Sequence, residues 1–171
     1  MTKEHILREI TGTPSVEDTF HLRYQVWSEQ VELYPAVREI GIISDEHDAH
    51  AQHWAVFREG EELVASARMC IHRLQVDTPD EKAFREMELR SPVATINRLV
   101  VHKSVRGFGL PRQLDTCRIN AARERGAKCI VATAAITRIE GLQKAGFELT
   151  PFTYEASYTS ACIFRGMILI L

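Results

Sequence analysis

Little in this chain marks it as a special class of polypeptide. It has no block of like charge: 21 Lys and Arg are interleaved with 23 Asp and Glu, for a net charge of −2. Neither a nucleic-acid partner nor attachment to an anionic membrane surface is therefore expected. Its four cysteines, Cys70, Cys117, Cys129 and Cys162, form no C-x-x-C pair and sit in apolar contexts. They read as small buried hydrophobes in a reducing compartment, not as disulfides or thiolate ligands. No apolar segment follows Met1-Thr2-Lys3-Glu4-His5, so no leader peptide is expected. The longest apolar run, Met167 to Leu171, falls far short of the ~20 residues a membrane helix needs. Internal repeats and low-complexity tracts are absent too. These absences point to a cytoplasmic protein. What remains is 171 residues, 45% hydrophobic and 26% charged, enough for one domain over 1–171 with its own core.

The patterning alternates helix and strand. Thr13-Pro14 resembles a helix start, and Val16, Phe20, Tyr24 and Trp27 recur at helical spacing, predicting a helix over 14–29. Residues 30–50, interrupted by Pro35 and Gly41, predict a loop with a short helix. His53–Phe57 and Leu63–His72, separated by Glu59-Gly60-Glu61, predict a hairpin. The polar, acidic stretch 74–92 predicts an excursion away from the core, with a helix over Pro79–Glu88. Val93–Val101 reads as a third strand, and Pro111–Arg125 as a helix with Leu110, Leu114, Cys117 and Ala121 on one face and Gly126 as its stop. Lys128–Ala134 is continuously apolar, as a central parallel strand is. Ile139–Ala145 reads as a short helix closed by Gly146, and 150–171 as one or two strands. Strand–helix–strand over 93–134 implies a right-handed crossover and a parallel pair. The expected fold class is α/β, a mixed and mostly antiparallel sheet with one parallel pair, flanked by helices.

The chemistry concentrates where the third strand, Ile96-Asn97-Arg98-Leu99-Val100-Val101, runs into Val105-Arg106-Gly107-Phe108-Gly109-Leu110-Pro111. A glycine-bearing turn opening a helix presents unpaired N–H groups and the positive end of the macrodipole. It is a cradle for a phosphate or diphosphate.

These residues, with Ala122 to Gly126 and Lys144-Ala145-Gly146-Phe147, resemble the GCN5-related N-acetyltransferase superfamily. So do Asp45 to Ala51 and Leu63 to Arg68 upstream. The similarity covers about residues 15–150 and implies the acyl-CoA N-acyltransferase fold. The family's diphosphate motif, Gln/Arg-x-x-Gly-x-Gly/Ala, corresponds to Arg106 through Pro111, with proline at the last position. Proline removes one N–H but suits a first helical turn, and the amides of Gly107, Phe108, Gly109 and Leu110 remain. By the resemblance, Leu99, Val100 and Val101 lie along the pantetheine arm. The family's usual acid, a tyrosine, falls at Leu142, and its pantetheine-binding asparagine at Ala135. Another group then does that work, the thiolate leaves unassisted, or the chain does not catalyse; Tyr154 and Tyr158, four apart in the C-terminal strands, read first as buried aromatic packing and second as a replacement acid.

A narrower similarity joins Arg23, Trp27, Asp45, Asp48, Arg68 and Arg98 to the charged set of the acyl-homoserine-lactone and N-acyl amino acid synthases. Their glutamate falls at Thr95 here. These six residues are the candidate acceptor site, although Asp45, Asp48 and Arg68 also read as a structural ion-pair cluster. Acylation of nitrogen needs a neutral amine, and Asp48, Glu88, Asn97 acting through water, and His102 are the candidate bases. His47, His50 and His53 stand beside the aspartates, but their spacing needs a helix to converge and His53 heads into a strand, so no metal is expected.

The expected activity is transfer of an acyl group, most simply acetyl, from acetyl-CoA or another acyl-CoA to a primary amine of a small molecule or peptide. Two alternatives stay open: an autoinducer-synthase-like N-acyl amino acid synthase with a long-chain donor, and a CoA-binding module without catalysis. The apolar segment Phe164–Leu171 is the stretch expected to form any homodimer interface.

Overall fold

The computed structural model describes residues 4–79 and 84–171. The described elements are β1 (His5–Glu9), α1 (Ser15–Ser28), α2 (Pro35–Ile40), a 3₁₀ turn (Glu46–His50), β2 (Gln52–Arg58), β3 (Glu62–His72), β4 (Val93–Val101), α3 (Leu110–Glu124), β5 (Cys129–Ala134), α4 (Ile136–Lys144), β6 (Glu148–Glu155) and β7 (Ile163–Ile170). The strands form one seven-stranded sheet, ordered β1-β2-β3-β4-β5-β7-β6. Every pairing is antiparallel except β4 with β5. The expected mixed α/β architecture is present, with its parallel pair where the crossover helix α3 requires it.

Helices cover both faces. Leu110 and Leu114 of α3 are buried among Met69, Ile96, Ile130 and Met167. On the opposite face, Leu22 and Val26 of α1 meet Val100.

Several local expectations change. Thr13 does not cap α1: its hydroxyl donates to the Ile10 carbonyl at 2.8 Å, and Pro14 occupies the cap position. The buried stripe of α1 is Thr19, Leu22, Arg23 and Val26, not the spaced set Val16, Phe20, Tyr24 and Trp27; Trp27 is only half-buried. Strand β1 was not expected, because His-Ile-Leu-Arg-Glu alternates only weakly. It is recruited as an edge strand along β2, from His5↔Arg58 to Glu9↔Trp54. Helix α4 begins at Ile136, three residues before the expected start. The stretch 74–92 does not simply leave the core. Phe84 is 1% exposed and packs with Val93, Cys129 and Val131, tied down by Gln75, which donates to the Phe84 carbonyl at 2.7 Å. The helix expected over Pro79–Glu88 falls partly on 80–83, outside the described residues; 84–86 form a turn. Cys70 and Cys129 are buried, but Cys117 and Cys162 only partly so. Strand β7 pairs on both sides, with β5 and β6, so the C-terminal apolar segment is not an open edge.

Candidate active site

Strands β4 and β5 pair only from Val93↔Cys129 to Ile96↔Ala132. Beyond that rung β4 stays with β3 as far as Ala65↔Val101, and β5 stays with β7 as far as Ala134↔Arg165. The sheet therefore opens into a wedge between residues 97–101 and 133–134. The cause on the β4 side is a bulge: the register with β3 slips between Ser66 and Arg68, and Arg98 has a φ of 52°. A non-glycine residue pays ~1–2 kcal/mol for that conformation. The extra residue also reverses the alternation of the strand. Ala94 and Ile96 join the core under α3, whereas Val100 meets α1.

The wedge is the floor of a cavity of about 770 Å³, lined by Ile96 to Val101 on one side and Ala132 to Arg138 on the other. Arg106, Gly107 and Pro111, from the turn opening α3, form its end. Gly107 and Gly109 have φ of 89° and 71°, a region that favours glycine. A Cβ at either would meet nothing within 4 Å, so the turn needs its glycines for backbone shape and leaves room above them. The Gln113 amide donates to the Gly109 carbonyl at 3.2 Å; the N–H groups before it precede the helix ladder. Phe108 turns outward against the His5 ring, centroids 4.9 Å apart, and Leu110 enters the core at 1% exposure. Of the residues expected at the donor site, Leu99, Val100, Val101, Arg106 and Gly107 line the cavity; Phe108, Gly109 and Leu110 do not. Leu142, where the family's tyrosine falls, is buried in the cavity wall.

The acceptor candidates form a buried ion-pair lattice. Arg68, fully buried, donates to both oxygens of Asp45 at 2.5 and 3.0 Å and to Asn97 Oδ1 at 2.8 Å. It also lies 3.0 Å from Asp48. Arg98 donates to Asp45 Oδ2 at 2.6 Å and lies over the Tyr158 ring. Arg23 donates to Asp48 at 2.9 and 3.0 Å. Burial opposes the charge of Asp45, but hydrogen bonds and charge from Arg68, then Arg98, outweigh it and hold the carboxyl far below the usual carboxylate range. Burial likewise opposes Asp48, and Arg23 and Arg68 outweigh it. Arg23 is pushed down to about 10 by burial, so it is charged at neutral pH. Trp27, Asp45, Arg68 and Arg98 line the cavity, while Arg23 and Asp48 stand behind them. The ion-pair reading of Asp45, Asp48 and Arg68 describes this geometry directly.

A second buried pair was not foreseen. Arg118 on α3 is 2% exposed and donates to the carbonyls of Arg68 and Asn97 at 3.2 and 3.1 Å, the rung at which β4 begins to bulge. It pairs with Asp115, whose other oxygen accepts from Arg138 at 2.5 Å. Arg118 thus anchors the bulge from below. The signal in the sequence was a charged residue four positions after the apolar Leu114.

The remaining candidates scatter. Glu88 is exposed and lies outside the cavity wall. His102 caps a short turn, its Nδ1 2.7 Å from Ser104 Oγ. Tyr154 lines the cavity from β6, and Tyr158 adjoins Trp27 and Phe164. His53 Nε2 donates to the Asp48 carbonyl at 3.1 Å, and burial lowers the imidazole's pKa. Among the described residues no three His, Cys, Asp or Glu side chains are grouped as metal ligands would be, and no helix is long and apolar enough to cross a membrane.

Fold and cleft together define an acyl-CoA N-acyltransferase architecture. The sequence profile of the acetyltransferase (GNAT) domain matches residues 22–114, and the chain belongs to that family. No curated protein matches it in sequence. Among solved structures it is similar to FeeM, an N-acyl amino acid synthase from uncultured soil microbes, at 12% identity and a TM-score of 0.71, over 99% of this chain and 92% of FeeM. BjaI, a CoA-dependent acyl-homoserine lactone synthase, gives 17% and 0.69 over 98% and 84%. A Bacillus subtilis acetyltransferase in complex with CoA gives 17% and 0.57 over 99% of each chain. At these identities the likeness is one of fold.

Proposed function

We propose that the chain, acting as one domain, transfers an acyl group from an acyl-CoA thioester to a primary amine by direct attack in a ternary complex. The observation that carries this is the wedge between β4 and β5, with the glycine turn of α3 at one end. The residues present fit the donor. Arg106 and the amides of 107–110 suit a diphosphate. The free main chain of Leu99 to Val101 suits the amides of a pantetheine arm. The same strand end can hold the developing oxyanion. Trp27, Asp45, Arg68 and Arg98 form the acceptor wall, braced by Arg23 and Asp48. Asn97 is held beside Arg68, and Tyr154, which lines the cavity with Tyr158, is assigned to protonate the departing thiolate. Acetyl is the simplest acyl group. Glu88 takes no part in this reading. Free thiols suit a reducing compartment such as the cytoplasm.

The test is a thermal-shift screen with CoA, acetyl-CoA and octanoyl-CoA, followed by thiol release over an amine panel. A ligand at 100 times its Kd should stabilise the fold by about 2.7 kcal/mol. Binding without thiol release from any amine would leave a CoA-binding module.

A second reading is favoured by the cavity itself. Beyond the wedge its wall is apolar, from Val26, Trp27 and Val31 on one side to Tyr158, Cys162 and Phe164 on the other. The adjoining lattice holds three guanidinium groups against two carboxylates. Room for a long acyl chain and a surplus positive charge together suit an acceptor that carries a carboxylate beside its amine. Faster thiol release from octanoyl-CoA than from acetyl-CoA, with an amino acid as acceptor, would select this reading.

A further inference from the structure

Within the proposed acyl-transfer reaction, on which this inference rests, we propose that His47 is the base that deprotonates the acceptor amine. His47 is the one imidazole in the cavity wall among the described residues, and its side chain is 24% exposed. Its main chain is fixed at both ends: its N–H donates to Asp45 Oδ1 at 3.0 Å, and its carbonyl faces the Cys70 thiol at 3.9 Å. Asp45 is in turn clamped by Arg68 and Arg98 at the bulge. The ring is held edge-on by His72, with centroids 5.8 Å apart and planes at 83°. His72 is fixed by Thr95 Oγ1 at 3.0 Å, and burial pushes it down to about 4, so it stands as a neutral backstop near pH 7.

Apart from Glu46, which also lines the cavity, the other candidate bases are occupied or absent from it. Asp45 and Asp48 are committed to arginines, and Asn97 Oδ1 accepts from Arg68. Glu88 and His102 do not line the cavity. Glu46, 3.9 Å from His47 Nε2 but 86% exposed, stands at the solvent side, where it can attract an ammonium and pass a proton outward. Glu46 and His72 face the His47 ring, Asp77 and Arg68 act on His72, and Asp45 and the Cys70 thiol meet the His47 main chain. An imidazole is the side chain that changes charge between pH 5 and 8.

The protons balance as follows. His47 Nε2 takes one proton from the ammonium and releases it to bulk water. The freed lone pair forms the C–N bond as the C–S bond breaks. The second nitrogen proton ends on the departing thiolate.

The test measures CoA release from acetyl-CoA and octanoyl-CoA with benzylamine, charged at neutral pH, and aniline, neutral there. With benzylamine, His47→Ala should fall by ~100-fold or more in kcat/KM at neutral pH, and the remaining rate should climb with pH as free benzylamine accumulates. Added imidazole should restore the rate. With aniline the loss should be small, and the CoA-induced thermal shift should persist in every variant. Glu46→Gln should keep the wild-type pH profile. An equal loss with both amines and no imidazole rescue would overturn the assignment of His47, as would a pH profile unchanged in His47→Ala. CoA binding in the wild type with no release from either amine would overturn the acyl-transfer reading first, and the base with it.

Discussion

The two walls of the cleft are built from different materials. On the side proposed for the donor the groups on offer are main chain: the turn of 107–110, the freed edges of β4 and β5, and two glycines whose φ of 89° and 71° let the turn form. On the acceptor side they are side chains, in a lattice joining Arg23, Asp48, Arg68, Asp45 and Arg98. A main-chain cradle tolerates most side-chain changes and fails only when its backbone shape or its open space is lost. A buried charge lattice fails when a charge inside it is left desolvated and unpaired. Under the proposed reaction the first wall serves the donor and the second the acceptor.

The largest effect should come from the buried charges. Asp115→Ala strands Arg118 without its carboxylate and should destabilise the fold by ~3–5 kcal/mol in urea titration, with loss of the bulge. Next is a pH effect. Burial holds folded His72 at about 4, below the ~6.5 of an unfolded imidazole. The unfolded chain therefore binds the proton more readily. This contribution, ~3 kcal/mol at most, is intact above about pH 6.5 and lost as the pH falls toward 4. His72→Phe should flatten that part of the stability–pH curve.

On the donor wall, Gly109→Asp places a carboxylate where the diphosphate sits, in a conformation aspartate tolerates better than most residues. It should abolish the CoA-induced stabilisation of about 2.7 kcal/mol at 100 times Kd and leave the apo fold intact. The smallest effect on stability should come from Arg98→Gly. Relief of ~1–2 kcal/mol of backbone strain offsets part of the loss of the Arg98–Asp45 pair, and Asp45 keeps its pairing with Arg68, so the net loss of stability should be smaller than for Asp115→Ala. Binding of the acceptor should weaken, as a rise in its KM would report.

The same contrast decides what the sequence could reveal. The glycine turn was legible because such a turn needs glycine, a strand before and a helix after, and all three leave local patterns: β4 was expected over Val93–Val101 and is found there. The ion-pair lattice was legible only as a set of charged residues. That Asp45 grips Arg68 and Arg98 follows from a loop folding back over β3 and β4, contacts 23 and 53 residues apart in sequence, which no local pattern encodes. The bulge at Arg98 carried no glycine to announce it. Strand β1 was missed because pairing along β2, rather than its own alternation, makes it a strand. The stretch 74–92 was expected to leave the core because it is mostly polar, yet Phe84 packs against Val93, Cys129 and Val131 and draws part of it back onto the sheet.

The central claim is that the wedge between β4 and β5 holds an acyl-CoA with its diphosphate at the turn opening α3. A crystal structure with bound CoA tests it most directly. The diphosphate oxygens should lie within hydrogen-bonding distance of the main-chain nitrogens of 107–110, with the pantetheine arm along Leu99 to Val101. CoA bound elsewhere, or a turn whose amides face away from it, would contradict the account.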